Sequence, residues 1–553
     1  MTASKPLAGA VVSEQQRASD IGAGILRKGG NAADAIIATI LAVNTLAPFH
    51  SDIGGGGFAI IRQADGNYEA LDFRHVAPKD VTMEYYQKGA STSVGGSAVA
   101  VPGQMRGLEE LHRRYGRLKW AELFEPSIKL AREGQQVCED LRDFTTRECV
   151  PPGSDNLAGS WYETDPMYHA LFKNGRVLAV GELYYRPEFA MTLEAIAEKG
   201  ADAFYGGEIA KAMVDTVRER GGLMTLDDLR DYRPRWCSPI SAKYRGNVLW
   251  TVPAPASGAI WLSAMGILNH FKSPGAGTVL DYHRVTEALR LAYGQRTQLG
   301  DPSFVPGLET KQKEWISYEC TADRAKMLSD EHTFPPDYYK PPGVEIKEDA
   351  GTSNITAADE TGLVISVTTT VGLNWGSHIM VKAGFVLNDS MDDFSVQGRP
   401  NQTGYEPTKA NFVAGGKRPL SSSCPYIVEN SRGEVILAGG SAGGSTIISA
   451  NVQVARNVLD YGFSAREALR ASRLHNQILP NVSQLERQNT HQGSTVEGFS
   501  EELAEELRSK GHTVEWVPMN RSTPCAIKFL PGPDWEPAGD PRKNDSGGSV
   551  VHP

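Results

Sequence analysis

A glycine–threonine step, Gly351–Thr352, stands where an acidic, proline-rich stretch gives way to residues that read as strand. A threonine in that place can be the nucleophile of a self-cleaving hydrolase. Cutting the bond before it gives Thr352 a free α-amine of reference pKa ~7.7–8.0, able to take the proton of its own Oγ. One residue then supplies nucleophile and base, and no catalytic histidine is needed. The plain alternative is a threonine that merely begins a strand. A second place is Gly439-Gly440-Ser441-Ala442-Gly443, a G-x-S-x-G match between a strand and a helix. Ser441 as nucleophile would need an acid, a histidine and more sheet within the 553 − 441 = 112 residues that follow. The glycines could instead offer adjacent N–H groups to an anion or oxyanion. A third set is Asp392-Asp393 with Ser421-Ser422 and Arg74, residue types that suit acid/base work, a metal or ion recognition. Taken singly, the adjacent carboxylates read as a solvated turn and Arg74 as a salt-bridge residue.

The elements that must position these residues are partly legible. Asn31 can cap a helix over Ala32 to Leu46, whose apolar density predicts a buried core helix rather than a membrane span. Gly54 to Gly57 precede a strand, Phe58 to Arg62. The order helix, glycines, strand is the reverse of a phosphate loop, so the glycines read as a tight backbone crossing. Residues 105–300 read as mostly helical, with amphipathic stretches at Trp120 to Glu133 and His283 to Gln298. Asp330 to Ala350 reads as an exposed loop. Beyond Thr352 the Val, Ile and Thr content predicts a hairpin turning at Asp359 to Gly362. Strands follow at Gly384 to Leu387, Tyr426 to Val428 and Val435 to Ala438, and helices at Ile447 to Leu459, Ala465 to Ser472 and Ser500 to Lys510.

Composition removes several classes. The formal charge of −10 and the lack of basic, aromatic-interleaved clusters argue against nucleic acid as a partner. Six dispersed cysteines without a CxxC pair suggest neither a zinc site nor a disulfide scaffold. No signal peptide or membrane segment is visible, and two of the six N-x-S/T sequons, Asn354 and Asn388, fall near the candidate site. The expectation is a cytoplasmic protein.

Taken in order, GGNAADA (29–35), SDIGGGGF (51–58), DFRHVAP (72–78), VPGQMRGL (101–108), AELFEPSIKLAREG (121–134), GGLMTLDDLRDY (221–232), PAPASGA (253–259) and ALRLAYGQR (288–296) resemble large-subunit motifs of the γ-glutamyltransferase family. GTSNIT (351–356), MDDFS (391–395), KRPLSSSCP (417–425) and GGSAGGS (439–445) resemble its small subunit. The resemblance covers nearly the whole chain. It implies an α+β protein, a four-layer αββα N-terminal-nucleophile (Ntn) hydrolase sandwich with additional helices from the large subunit. It also implies self-cleavage into a large subunit, 1–351, and a small catalytic one, 352–553, which stay together as a heterodimer. Carried over by position, Thr352 is the nucleophile, Thr370 the partner of its amine, and Thr356 a hydroxyl assisting processing. Gly443 and Gly444 supply the oxyanion N–H pair. Arg74, Ser421 and Ser422 clamp the donor's α-carboxylate, and Asp393 meets its α-ammonium. No metal or organic cofactor is implied. The expected substrates are γ-glutamyl amides such as glutathione or its conjugates, with water or an amino acid or peptide as acceptor.

The chain departs from the family pattern at the ammonium end. Asn354 stands two residues after the nucleophile, where His is common. Gly372 stands where an Asn is expected, and Ser390 where a Gln or Glu is expected; Asn374 could substitute if the loop register shifts. These departures leave open a relative acting on glutaryl-type or other acyl amides, as the family's cephalosporin acylases do. A non-catalytic homologue is a further alternative, against which the joint retention of Thr352, Thr370 and the Gly443–Gly444 pair argues. The segment Gln397 to Lys417 has the length of the family's lid, with Tyr405 near the place of a lid aromatic.

Overall fold

Thr352 begins a hairpin that lies at the centre of the molecule. Strand Gly351–Asp359 pairs antiparallel with Val364–Gly372, and every residue of both strands is buried. That burial explains their run of Val, Ile, Ala and Thr without polar alternation, since both faces of the sheet are covered. The turn closes as its residue types predict: Asp359 accepts from the Thr361 amide at 2.8 Å, and Gly362 takes a φ of 89°. The computed structural model describes residues 8–149, 160–339, 351–398, 407–491, 494–518, 522–531 and 534–552. Tyr405 and the middle of the expected lid, the last part of the Asp330 to Ala350 loop, and the sequons at Asn401 and Asn520 lie outside the described residues.

The hairpin belongs to a seven-stranded antiparallel sheet with strand order Gly547–Val551, Gly9–Ser13, Gly351–Asp359, Val364–Gly372, Gly56–Arg62, Tyr68–Phe73, Arg235–Cys237. A second sheet has six antiparallel strands in the order Trp535–Gly539, Cys525–Phe529, Val435–Gly440, Tyr426–Glu429, Asn247–Thr251, Ile240–Tyr244. Side chains between the sheets, among them Val12, Phe58, Ile60, Ile427, Ala438 and Ile527, form an inner core. Helices Gln16–Arg27 and Ala32–Leu46 cover the outer face of the first sheet. Helices Gly258–Asn269 and Thr446–Leu459 cover that of the second, with Val279–Arg296 packed on Gly258–Asn269. The result is four layers, αββα, as expected.

The predicted core helix spans Ala32–Leu46, is buried throughout, and is capped by Asn31, whose side chain accepts from Ala33 and Asp34 amides. The glycines are a tight crossing: a Cβ on Gly55 would fall on the Thr370 carbonyl, and one on Gly57 on that of Thr368. The 105–300 region is mostly helical as expected, but three of its strands, between Arg235 and Thr251, form one edge of each sheet. One expectation needs correction. Gly384 to Leu387 is not a strand but makes two isolated bridges, Met380–Val386 and Gly54–Leu387. The Gly384 carbonyl is taken by the Arg186 guanidinium at 2.9 Å, and left-handed residues at Trp375, Gly376 and His378 fold the preceding chain away from a ladder.

Candidate active site

Pairing places Thr352 opposite Thr370, with a bulge between Gly351 and Thr352. Thr352 is 2% exposed, and its Oγ1 donates to Thr370 Oγ1 at 3.2 Å. Thr370 Oγ1 in turn donates to the Gly351 carbonyl oxygen at 2.6 Å, and accepts from the Gly372 amide at 2.8 Å. Two hydroxyls therefore bracket the peptide bond between Gly351 and Thr352, one in series with the other. The bulge leaves no room for a side chain at Gly351, whose Cβ would meet the carbonyls of Gly372 and Leu373.

Asn354 lies on the same strand face as Thr352 and donates to the Val367 carbonyl at 3.0 Å and to Thr368 Oγ1 at 3.1 Å. It packs where a Cβ on Gly440 would be, so it joins strand Gly351–Asp359 to the end of Val435–Gly440. Thr356 is two residues farther along and donates to Ser366 Oγ at 3.0 Å. Beyond Gly440 the chain turns before helix Thr446–Leu459, with φ of 118° at Gly443 and 59° at Gly444. Neither glycine's amide donates to a group among the described residues, which leaves two N–H groups for an anion. Ser441 is buried, and its Oγ donates to the Ala442 carbonyl at 3.0 Å. No histidine or carboxylate meets that hydroxyl among the described residues, and the sheets around it are antiparallel, unlike a nucleophile elbow.

The charged set converges from three segments. Arg74 follows strand Tyr68–Phe73 and is fully buried; its Nη2 donates to Asp393 and, at 3.3 Å, to the Leu420 carbonyl. Asp393 ends a short 3-10 turn, Ser390–Asp393, rather than a strand, and Asp392 takes the Thr92 hydroxyl. Leu420 leads into Ser421 and Ser422. Ser421 Oγ donates to Ser423 Oγ at 3.0 Å, and Ser422 Oγ accepts from Arg296 Nη2 at 2.9 Å.

Ser390 and Asn374 are used differently from one another. Ser390 Oγ lies 3.0 Å from His75 Nδ1, a contact the sequence did not flag. Burial, reinforced by Arg74 and Arg418, holds the His75 imidazole well below its usual pKa, so it is neutral. Arg74 Nη1 faces the same Nδ1 at 3.4 Å, which makes Nδ1 the acceptor and puts the ring proton on Nε2. Asn374 turns instead to Glu148, donating to Oε1 at 3.1 Å. The space that a side chain at 372 would need is filled by Asp389, whose Oδ1 accepts from the Leu373 amide at 2.9 Å.

One group among the described residues has the make-up of a metal site: His283, Glu287 and His512, all buried. Each ligand atom is already engaged. His283 Nδ1 meets His512 Nε2 at 2.8 Å, His283 Nε2 meets the Ser329 carbonyl at 2.7 Å, and Glu287 accepts from Thr333 and Tyr339 hydroxyls, each at 2.6 Å.

Two facing antiparallel sheets between helix layers, with a threonine at the head of a central strand, define an Ntn hydrolase. The family model described as Gamma-glutamyltranspeptidase matches residues 18–550. The chain belongs to that family. It is 39% identical to a glutathione hydrolase proenzyme of Arthroderma benhamiae, over 98% of this chain and 93% of that protein. Among solved structures, cephalosporin acylase from Bacillus halodurans superposes with a TM-score of 0.84 at 26% identity, covering 99% of this chain and 96% of that one. Gamma-glutamyltranspeptidase from Pseudomonas nitroreducens, complexed with L-DON, matches at 33% identity and a TM-score of 0.53, covering 59% of this chain and 96% of that one. The chain is an enzyme of the Ntn hydrolase and transferase type.

Proposed function

We propose that the chain is a precursor that cuts itself at Gly351–Thr352 and then cleaves γ-glutamyl amides through an ester on Thr352. The observation that carries this reading is the paired hydroxyls on the bond to be cut. Thr352 Oγ attacks the Gly351 carbonyl carbon while its proton passes toward Thr370, whose hydroxyl already holds the carbonyl oxygen where negative charge develops. The C–N bond breaks, the Thr352 nitrogen takes a proton, and water hydrolyses the resulting Gly351 ester. The fragments 1–351 and 352–553 remain associated, because both sheets contain strands from each. Thr356, bonded to Ser366, would support this step through the strand.

In the mature enzyme the Thr352 amine takes the Oγ proton, and Oγ attacks the donor's γ-carbonyl. Gly443 and Gly444 amides would hold the oxyanion. The leaving amine departs with the proton, and water or an amino group releases the acyl group: hydrolysis in the first case, transfer in the second. Arg74, Ser421 and Ser422 would bind the α-carboxylate, since all three bring protons to acceptor oxygens. Asp393 would bind the α-ammonium, exchanging its contact with Arg74 for the donor's own charges. Ser390, on the Asp393 turn and against His75, would border this subsite, whereas Asn374 would have to leave Glu148 to reach it. Water and amino acids or peptides are the proposed acceptors, and the cytoplasm the proposed location. The sequon residues Asn354 and Asn388 are buried in the fold, where neither could carry a glycan.

A second reading, an acylase for glutaryl-type amides, is favoured by one observation: position 372 offers no side chain to an ammonium, and Asn374 is turned to Glu148. Two measurements test the proposal. The denatured protein should give two chains, the smaller beginning at Thr352. Its γ-glutamyl anilide should react faster than the glutaryl anilide. One stable chain would contradict processing, and a strong glutaryl preference would replace the first reading by the second.

A further inference from the structure

Helix Val279–Arg296 ends beside Ser421–Ser423, and its last residue grips that segment. Arg296 is 9% exposed; its Nη2 donates to Ser422 Oγ at 2.9 Å and its Nε to Ser257 Oγ at 3.3 Å. Ser257 is itself tied to the same segment. Its Oγ donates to the Ser421 carbonyl at 2.7 Å, and its amide to the Ser423 carbonyl at 3.0 Å. One turn back on the helix, the Tyr293 hydroxyl holds the Ser445 carbonyl, next to Gly443 and Gly444. The helix is thus fastened to two parts of the site at once.

The chemistry at Ser422 is directional. A guanidinium has five donors and no acceptor, so Ser422 Oγ can only accept from it. The hydroxyl proton of Ser422 must then point elsewhere, toward an acceptor. Ser421 and Ser423 are buried, whereas Ser422 is half-buried and open to a ligand. We infer that Arg296 is a positioning residue for donor binding: it turns Ser422 into an obligate hydrogen-bond donor to the donor's carboxylate and adds a second cation to that end of the site, beside Arg74. This rests on the assignment of Ser421 and Ser422 to the carboxylate.

Four anilides separate the two ideas: γ-glutamyl, glutaryl (no ammonium), 4-aminobutyryl (no carboxylate) and butyryl (neither). Arg296→Gln should raise KM for both carboxylate-bearing donors roughly 10–100-fold, the scale of a hydrogen bond to a charged group. Their kcat should change far less. kcat/KM for the two carboxylate-free donors should stay where it was. Arg296→Lys, which keeps the charge and one donor but not the planar fork, should recover part of the loss. Adding Ser422→Ala to Arg296→Gln should cost little more, since both act on one contact. Equal losses on all four donors would make Arg296 a fastener of the helix end only, and unchanged KM values would overturn the inference outright. If the wild-type enzyme shows no carboxylate preference at all, the clamp assignment fails and the inference with it. A glutaryl preference would overturn only the γ-glutamyl reading, and the carboxylate comparison still decides the role of Arg296. Self-cleavage and melting temperature of each variant guard against a folding artefact, with Arg296→Lys as the milder substitution.

Discussion

At the scale of single residues, the site is a series of hydroxyls and amides whose directions are set by what each group can donate or accept. Thr370 is the clearest case, because its one proton goes to the Gly351 carbonyl while its lone pairs receive Thr352 and the Gly372 amide. Thr370→Val keeps the shape and removes the hydroxyl. Loss of one donor to a developing oxyanion costs roughly 10²–10³ in rate. Self-cleavage followed by gel electrophoresis should slow by that order; processing at the wild-type rate would show that Thr370 does not act on the bond. Gly372 gives a second expectation. Its φ is 102°, and a side chain there would overlap Asp389 Oδ1. Installing the Asn that the family resemblance leads one to expect there should therefore lower the melting temperature rather than raise activity on γ-glutamyl donors. A stable and faster Gly372→Asn variant would mean that Asp389 moves aside freely.

At the scale of elements, what could be read from the sequence is what local pattern determines. The helix Ala32–Leu46 with its Asn31 cap, the hairpin turn at Asp359 to Gly362 and the crossing at Gly54 to Gly57 all follow from residue types a few positions apart. The strands between Arg235 and Thr251 did not show, because they are short and half-exposed, and the pairings that tie Arg235–Cys237 and Asn247–Thr251 into the sheets are with strands far away in sequence. The same distance hid Arg296 and His75, which gain meaning only when helix Val279–Arg296 and the turn Ser390–Asp393 arrive beside them. Thr352, Thr370, Arg74 and Asp393 were legible as motif positions; that Arg74 and Asp393 meet each other was not. Gly57→Ala tests the crossing. Its Cβ would fall on the Thr368 carbonyl, so strand Gly56–Arg62 must move off the Thr370 strand. Reduced solubility or lost processing is expected, and an unaffected variant would show that the ladder can shift.

At the scale of the whole molecule, burial of histidines makes stability depend on pH. Burial pushes the imidazoles of His50 and His378 down to about 4, and that of His512 down to about 3. In the unfolded chain each would take a proton near pH 6.5. Between 6.5 and about 4 the unfolded state holds more protons, so stability falls as pH falls. Asp140, raised to about 6 chiefly by burial, works the other way, since its folded form binds the proton first. His75, His270 and His283 are lowered as well, and Asp34, Asp52, Glu287, Asp359 and Asp545 are raised with Asp140. The histidines act from pH 6.5 downward, across nearly the whole interval, so the melting temperature should drop by several degrees between pH 7 and 4.5. A flat profile would contradict this balance. Finally, strand Gly9–Ser13 is inserted between Gly351–Asp359 and Gly547–Val551, a strand from before the proposed cut held between two from after it. Once cut, the two fragments would be interlaced rather than docked, and neither could leave without tearing the central sheet. Such a pair has no working dissociation constant: dilution should not inactivate it. Isotopically heavy and light preparations, mixed and incubated under native conditions, should yield no hybrids by native mass spectrometry, and hybrids appearing without unfolding would show that the sheet opens.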